Sequence, residues 1–397
     1  MPQAGPAETR ASGTTSTSAP DPVADAHLSG FFDAVGGAPL HPAAAQALAL
    51  SYDPGPNGVW ADPRALHGRG RQARRVADGA REAVAAVLGV RPDEVRFTTS
   101  GDTARRAAVV GLAAARHRAG PRVVTSAVEQ AAVLDAAAEG EAVTVGVDDR
   151  GRLDVDAFTH AVLGGAACAA VQLANQEVGT VQDVAAMAAI CADARIPLAV
   201  DLAAAPGRLP IAEVPGDVLA ADARAWGGPA VGVLVVRTGT RWTAPPGLVD
   251  AAVPLEVAAA AAMVAAEEER AVLVPRWQSW TEQVRDAFAR VPDTAVAGDP
   301  DPAGRAPGLL AASFLYVDGE DLVGRLDVAG LAVASGSACT SEDRAPSHVL
   351  AAMGVLTQGN LRVSMGRWTT DADVQALMAA VPPAVAAIRD RAGMAGR

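Results

Sequence analysis

A single cysteine lies at the centre of a run of small residues between Ala334 and Ser341, which reads ASGSACTS. Serine, glycine and threonine are typical of surface loops, where functional side chains tend to lie, and none of them is large enough to bury a thiol. The sequence therefore predicts that Cys339 is exposed and reactive, able to act as a nucleophile. Cys168 lies in an apolar run and Cys191 in an alanine-rich one, so we expect both to be core residues.

The composition predicts a globular protein and argues against several kinds of partner. The chain has 397 residues, 50% of them hydrophobic, which is enough for one large domain or two. Its 45 acidic and 33 basic residues give a net charge of -12, so we expect neither nucleic acid nor an anionic membrane as a partner. Three scattered cysteines and the absence of a metal-ligand motif indicate a reducing compartment and no metal site.

The start of the chain differs in composition from the rest. The first 24 residues are rich in serine, threonine, alanine and proline and lack the apolar segment of a signal peptide. We therefore expect residues 1–24 to form a disordered tail on a cytoplasmic protein. The longest uninterrupted apolar run, residues 257–266, is too short to span a bilayer.

Strand-like and helix-like segments alternate along the chain. Strands are predicted at 95–99, 122–125, 142–147, 169–173, 197–201 and 231–237. Helices are predicted at 72–89, after 103, 129 and 155, at 184–194, at 255–270 and from 371 onwards. The alternation predicts an α/β fold with a mostly parallel sheet, and irregular sequence at 243–254 divides it into a large domain (25–245) and a small C-terminal α/β domain (246–397).

Several motifs then occur in a characteristic order and spacing. They are TSGDT at 99–103, TSAVE at 125–129, NQEVGT at 175–180, VD at 200–201, SGSACTS at 335–341, PSHVL at 346–350 and LRVSMGR at 361–367. The set is similar to the motifs of the cysteine desulfurases, over nearly the whole chain. The resemblance implies the fold type I architecture of the pyridoxal-phosphate-dependent class V aminotransferases, with a seven-stranded sheet in the large domain and a homodimer.

The resemblance also implies roles for individual residues. In this family a lysine holds pyridoxal phosphate as a Schiff base, and a loop cysteine takes the sulfur of the substrate cysteine as a persulfide. Cys339 aligns with that acceptor, Arg362 with the arginine that binds the substrate carboxylate, and Asp201 with the partner of the pyridine nitrogen. Thr103 aligns with the phosphate end of the cofactor, where a helix begins.

The lysine itself is missing from this sequence. The lysine motif of the family aligns with residues 223–232, where Arg224 stands at the lysine position. A guanidinium keeps its proton, with a pKa above ~12, and does not form an imine under ordinary conditions. The chain contains 33 arginines and no lysine at all, so no displaced lysine can replace the missing one.

Other positions of the cofactor pocket differ as well. The histidine that stacks on the ring aligns with Gln130, and the asparagine beside the ring hydroxyl aligns with Gln176. The glutamine that follows the aspartate by three residues aligns with Ala204. The serine and histidine near the phosphate align with Ala221 and Ala223.

The phosphate end carries an acidic residue and lacks a glycine-rich loop, whose place is taken by residues 245–254. Asp102 lies in the turn that opens a helix, where we expect its carboxylate to cap the free N–H groups. A phosphate dianion within ~5 Å would then be repelled by several kcal/mol at an effective dielectric of ~20. Arg105 and Arg106 can offset part of that repulsion.

The sequence therefore predicts a cysteine desulfurase homologue in sulfur transfer, in which Cys339 accepts and relays a persulfide and the chain's own desulfuration is lost. The expected partner is an active desulfurase or a sulfur-acceptor protein, in a homodimer or a heterodimer. Two alternatives remain open. One is an active desulfurase that holds pyridoxal phosphate without a covalent link, and the other is a structural or regulatory subunit of a desulfurase complex.

Overall fold

The structure is a computed structural model that describes residues 28–202, 204–336 and 346–394. The predicted tail at 1–24 and the predicted sulfur acceptor Cys339 lie outside the described residues. The described strands are β1 (Val95–Thr98), β2 (Arg122–Ser126), β3 (Glu141–Val145), β4 (Cys168–Gln172), β5 (Leu198–Asp201), β6 (Val218–Asp222), β7 (Gly232–Val236), β8 (Thr294–Val296), β9 (Leu309–Phe314) and β10 (Asn360–Ser364).

Helices separate most of these strands. They are α1 (Ala34–Gly37), α2 (Pro42–Ser51), α3 (Gly68–Leu88), α4 (Gly101–Ala115), α5 (Ala131–Ala138), α6 (Val155–Leu163), α7 (Val184–Ala194), α8 (Val253–Ala289), α9 (Gly319–Val328), α10 (His348–Ala352) and α11 (Asp371–Arg391). The predicted strands and helices agree with these bounds to within a few residues, except that α8 is longer than predicted. The sequence did not predict the remaining elements, which are β6, β8, β9, β10, α1, α2, α9 and α10.

The larger sheet has seven strands in the order β1-β7-β6-β5-β4-β2-β3. Only β7 runs antiparallel to its two neighbours, which confirms the prediction of a mostly parallel seven-stranded sheet. Its central strands are buried on both faces, and successive residues alternate between two cores: Leu198 and Val200 face one, and Ala199 faces the other. Helices α4 and α5 cover the second face, while α3, α6, α7 and the start of α8 cover the first.

Strand β6 was not predicted from the sequence. Its residues, VLAAD, form a short apolar run with only one β-branched residue, which is a weak strand signal by itself. The strand pairs with β5 and β7 in the middle of the sheet, so its position is fixed by tertiary contacts. Strand β6 ends at Asp222, which lies in the candidate site.

Helix α8 is much longer than predicted. It continues through Pro275 because Leu273, Trp277, Trp280 and Phe288, at spacings of three, four and eight residues, pack into a second core. Its first half packs against the large sheet instead. A single helix therefore connects the two cores.

The second core lies under a three-stranded antiparallel sheet in the order β10-β9-β8. Phe32, near the start of the described chain, is fully buried in this core, and Phe31 forms a bridge with Ala332. Among the described helices, α11 alone is long and apolar enough to span a bilayer, with a mean hydropathy of 1.2. One face of α11, including Leu377 and Val381, is buried in the second core, as in the core helix of an α/β unit.

The burial of Phe32 generates a stability prediction. Phe32→Ala should lower the free energy of unfolding by about 3–5 kcal/mol, because it leaves a cavity between elements from both ends of the chain. Urea unfolding followed by tryptophan fluorescence measures the change. Val328→Ala, at a position that is 89% exposed, is the matched control and should shift the free energy by less than about 0.5 kcal/mol. Equal effects of the two substitutions would show that Phe32 contributes no core packing.

Candidate functional site

Three elements place charged residues at one edge of the large sheet. Strand β5 ends at Asp201, the neighbouring strand β6 ends at Asp222, and helix α4 begins beside them at Gly101. A Cβ atom at Gly101 would overlap the Asp222 side chain, so glycine is what lets the helix start approach this strand end. The carboxyl ends of parallel strands are where ligands usually bind in open α/β sheets.

Arg105 occupies the centre of this edge. Its guanidinium donates from Nε to Asp201 Oδ2 at 2.8 Å and from Nη1 to Asp102 Oδ1 at 3.0 Å, and Nη1 lies 3.9 Å from Asp222 Oδ2. The side chains of Arg105 and Asp201 expose only 3% and 2% of their surface. The predicted partner of a ring nitrogen is therefore already bound to a buried cation of the protein itself.

Arg224, at the predicted lysine position, is held by a second carboxylate. It lies in a short 3-10 turn after β6, and its Nε and Nη2 donate to Asp222 at 3.1 and 2.6 Å. This bond raises the pKa of Arg224 above its ordinary range, because the carboxylate favours the charged form. Its side chain is 48% exposed, so the guanidinium lies at the mouth of the site, whereas Arg105 lies inside it.

The start of helix α4 differs from the prediction in one respect. Ser100 is the N-cap, since its Oγ accepts from the Thr103 backbone N–H at 3.1 Å; Asp102 does not cap the helix but binds Arg105. Ser100 is the cap because it immediately precedes the first helical residue, where its short side chain reaches the free N–H group. Arg106 points away and pairs with Glu139 at 2.6 Å, so only Arg105 offsets the charge of Asp102 directly.

The two glutamines predicted near the ring lie together. Gln130 Nε2 donates to Gln176 Oε1 at 2.9 Å, which joins the loop before α5 to the loop after β4. Ala204, Ala221 and Ala223 are all buried, so the polar contacts expected of those positions are replaced by apolar packing. In residues 245–254, Asp250 forms a backbone bridge with Thr98 beside β1.

Glu129 lies fully buried behind Asp201 and was not predicted as a site residue. Its Oε1 accepts from the Gln172 backbone N–H at 3.0 Å, while Oε2 has no hydrogen-bond partner among the described residues. Burial, and next the negative charge of Asp201, raise the pKa of Glu129 well above its ordinary value. Both causes favour the protonated, neutral form of Glu129 in the folded protein.

A second cluster holds both described ends of the segment that contains Cys339. Gly336 N–H donates to Asn360 Oδ1 at 2.7 Å, and Ser347 Oγ donates to Glu177 Oε2 at 2.8 Å. A Cβ atom at Gly336 would overlap Glu177 Oε1, so glycine is required at this close approach. Glu177 is buried, which raises its pKa.

Arg362 belongs to this second cluster. It pairs with Ala334 through two backbone hydrogen bonds and donates from Nη2 to Asp33 Oδ1 at 3.0 Å. Its Nε is buried and has no hydrogen-bond acceptor in the part of the chain that the structure describes. His348 Nε2, 3.0 Å from the Glu129 carbonyl oxygen, links the second cluster to the first.

The two remaining cysteines are buried, as predicted. Burial raises the pKa of the Cys168 thiol and of the Cys191 thiol to about 12. Neither thiol is therefore ionised to a useful degree near neutral pH, and thiolate is the reactive form of cysteine.

The resemblance assigned Asp201, Arg224, Gln130 and Gln176 to one cofactor pocket, and the structure places all four at the carboxyl edge of the large sheet. It missed the central role of Arg105 and the presence of Asp222 and Glu129. Arg105 carried a signal that was available: it lies between Ala104 and Ala108 on the buried face of α4, where a charged residue requires a buried partner.

Comparison with known proteins identifies the family. The model of the class V aminotransferases matches residues 31–252 and 251–377, so the chain belongs to this family. It is 34% identical over 395 residues to the IscS-like cysteine desulfurase of Mycobacterium tuberculosis, covering 92% of this chain and 98% of that protein. It is 33% identical over 361 residues to the cysteine desulfurase of Cereibacter sphaeroides, covering 83% and 90%.

Solved structures agree with this assignment at the level of the fold. A NifS-like protein, 23% identical, superposes with a TM-score of 0.79 and covers 91% of this chain and 99% of its own. The apo structure of the cysteine desulfurase from Thermococcus onnurineus NA1, 19% identical, gives a TM-score of 0.75 and covers 89% and 94%. The fold type I prediction is thereby confirmed, and the family implies pyridoxal phosphate as its cofactor.

The buried Glu129 generates a prediction about pH. Below the pKa that Glu129 has in the unfolded chain, Glu129 is protonated in both the folded and the unfolded state. Its ionisation then takes nothing from the free energy of unfolding. As the pH rises above that value the unfolded state ionises first, and stability falls by up to about 1.4 kcal/mol per pH unit until the raised folded pKa is passed. Glu129→Gln should remove this loss, so its advantage in unfolding free energy over the wild type should grow between about pH 5 and pH 7.

Urea unfolding at a series of pH values measures that difference. Glu139→Gln, at an exposed position, is the control and should leave the pH dependence of the wild type unchanged. A constant difference between Glu129→Gln and the wild type across this range would mean that Glu129 is ionised in the folded protein.

Proposed function

We propose that this chain acts in sulfur transfer as a persulfide carrier on Cys339 and does not extract sulfur by the ordinary pyridoxal phosphate route. The observation that carries the proposal is the Arg224–Asp222 ion pair at the lysine position, in a chain that contains no lysine. Relatives named cysteine desulfurases, at 34% and 33% identity, support the sulfur-transfer part.

Arg224 cannot take over the role of the lysine. The nucleophile that forms a Schiff base is a neutral amine, and a lysine loses its proton readily when its surroundings lower its pKa. Here the Asp222 carboxylate acts in the opposite direction and raises the pKa of a guanidinium that is already always charged. The pair holds a fixed positive charge at the mouth of the site, with no free nucleophile.

We infer that the residues present do not fit pyridoxal phosphate. The Asp201 carboxylate, which would face the ring nitrogen, is covered by Arg105. The two glutamines at the ring positions satisfy each other. The exposed Asp102 carboxylate at the start of α4 repels a phosphate, although the positive end of the helix dipole favours one.

The sulfur step proposed for Cys339 needs no cofactor. The Cys339 thiolate attacks the outer sulfur of a persulfide on an active desulfurase, a new S–S bond forms, and the donor's S–S bond breaks. The donor cysteine leaves as a thiolate, and the transferred outer sulfur keeps its proton on Cys339, so no net oxidation or reduction occurs. The reverse reaction with an acceptor thiol passes the sulfur on.

The described surroundings favour Cys339 over the other two thiols. Cys168 and Cys191 are buried, with thiol pKa values of about 12, whereas the ends of the Cys339 segment are fixed at Gly336 and Ser347. The proposed partner is an active desulfurase or a sulfur-acceptor protein. It binds the chain directly, as the second half of a heterodimer or against a homodimer.

A second candidate function is supported by one observation. Arg362, which aligns with the substrate-carboxylate arginine, keeps a buried Nε without a hydrogen-bond acceptor among the described residues. Such a donor is suited to bind a carboxylate, so a free amino acid could enter near the Cys339 segment. In this reading the chain binds cysteine and holds pyridoxal phosphate without a covalent link.

The carrier proposal predicts labelling at one cysteine. The chain is incubated with an active desulfurase and cysteine labelled with heavy sulfur, and mass spectrometry of its peptides locates the label. Label should appear as a persulfide on Cys339 and be absent from the peptides that contain Cys168 and Cys191. Cys339→Ser should abolish it.

Two results would contradict the carrier function. One is a Cys339 peptide without labelled sulfur while the donor enzyme is fully persulfidated. The other is a Cys339→Ser variant that supports sulfur delivery to acceptor proteins as well as the wild type does, which would assign the chain to a structural role.

The two candidate functions differ in the visible spectrum of the purified protein. The carrier proposal predicts no absorbance band from bound pyridoxal phosphate, with or without added cofactor, and no release of alanine from cysteine. A band that appears on addition of cofactor, together with alanine release that depends on Arg362, would favour the second function. Arg362→Gln is the matched variant, since it removes the charge and keeps most of the side-chain length.

A further inference from the structure

The positive charge at the centre of the site is a side chain of the protein, the guanidinium of Arg105. Arg105 lies on the buried face of α4, within 4 Å of three carboxylates, those of Asp201, Asp102 and Asp222. Buried carboxylates are stable only with a counter-charge, and losing that charge is strongly destabilising. Arg105 is the counter-charge of the buried Asp201, whereas Asp222 is also paired with Arg224 and the Asp102 side chain is 65% exposed.

Arg105 and Asp201 are closely packed on their inner side. The cavity that they line with Glu129 measures about 10 Å³, and its remaining walls are apolar side chains of α4, α5 and the central strands. A space of this size holds about one water molecule, so the Arg105 guanidinium has no room to withdraw into it. A ring nitrogen could reach the Asp201 carboxylate only if the Arg105 guanidinium moved away.

The Arg105 guanidinium also resembles the protonated cofactor ring that it would replace. A protonated pyridine ring and a guanidinium are both planar cations that donate N–H bonds to a carboxylate, so either satisfies Asp201. The Nη2 of Arg105 is buried without an acceptor among the described residues, whereas Nε and Nη1 bind carboxylates, so Asp201 and Asp102 already determine how the side chain lies.

We propose that Arg105 has replaced the cofactor ring as the cation opposite Asp201, so that the site excludes pyridoxal phosphate whatever residue occupies position 224. This inference rests on the proposed function in requiring a site that is free of cofactor. It adds the residue that excludes the cofactor and explains how the fold keeps its buried carboxylates without one.

The test uses pyridoxamine phosphate, which has the ring, the nitrogen and the phosphate of the cofactor but cannot form a Schiff base with any lysine. Its binding therefore reports on the non-covalent ring and phosphate contacts, independently of the residue at position 224. Isothermal titration calorimetry and thermal unfolding are measured on the full chain for the wild type, Arg105→Ser, Asp201→Asn and the double variant Arg105→Ser/Asp201→Asn.

The wild type should show no saturable binding up to about 1 mM, the concentration at which a contact of only about 4 kcal/mol would be half-saturated. Arg105→Ser should bind at least about tenfold more tightly than the wild type, and adding Asp201→Asn should remove that gain. Without ligand, Arg105→Ser should lower the Tm by at least about 4 °C, and the double variant should recover part of it because it removes the unpaired carboxylate.

Two outcomes would overturn the inference. One is a wild type that binds pyridoxamine phosphate as tightly as Arg105→Ser does. The other is an Arg105→Ser variant that gains no affinity. If Arg105→Ser does not fold, Arg105→Asn, whose shorter side chain also vacates the ring position and removes the charge while keeping a hydrogen-bond donor, gives the same readouts.

Failure of this inference and failure of the carrier function are distinguishable. Labelled sulfur on Cys339 is measured on the wild type and does not involve Arg105, whereas pyridoxamine phosphate binding does not involve Cys339. A carrier that also binds pyridoxamine phosphate would refute only the role of Arg105. A protein that excludes the ligand and also carries no labelled sulfur would refute only the carrier function.

Discussion

The rest of the site depends on the buried ion pair between Arg105 and Asp201. Two strands of a parallel sheet end here in aspartates, and a helix starts beside them with a third, so three carboxylates converge on one place. In a medium of low dielectric such a convergence is stable only around a cation. Arg105 supplies it from the neighbouring helix, and Arg224 neutralises the outer side of Asp222.

This constraint separates the two halves of the chemistry that the family combines. At the sheet edge, Arg224 at the predicted lysine position carries a fixed charge, and Arg105 covers the Asp201 carboxylate. Around the Cys339 segment, Asn360 and Glu177 hold Gly336 and Ser347, and Arg362 pairs with Ala334. We propose that the chain keeps the sulfur-accepting part of this chemistry on the Cys339 segment, while an ion cluster occupies the place of the sulfur-releasing part.

The sequence predicted the α/β fold and most elements, because apolar strands buried on both faces give a strong local pattern. It missed β6, whose pairing with β5 and β7 is decided by tertiary contacts, and the second half of α8, which continues through Pro275 because its tryptophans and Phe288 are buried. It also missed the short elements β8, β9, β10, α1, α2, α9 and α10. The family resemblance assigned Arg224, Asp201, Gln130 and Gln176 to one pocket. The alanine face of α4 indicates that Arg105 turns inward, but which carboxylates it meets depends on the three-dimensional arrangement around α4.

The most direct test of the central claim is a crystal structure at high resolution, from crystals grown with excess pyridoxal phosphate and cysteine. We predict electron density for the Arg105 guanidinium against the Asp201 carboxylate, for Arg224 against Asp222, and none for a ring between Gln130 and Asp201. Density for a pyridine ring whose nitrogen lies within hydrogen-bonding distance of Asp201, with Arg105 displaced, would contradict the account.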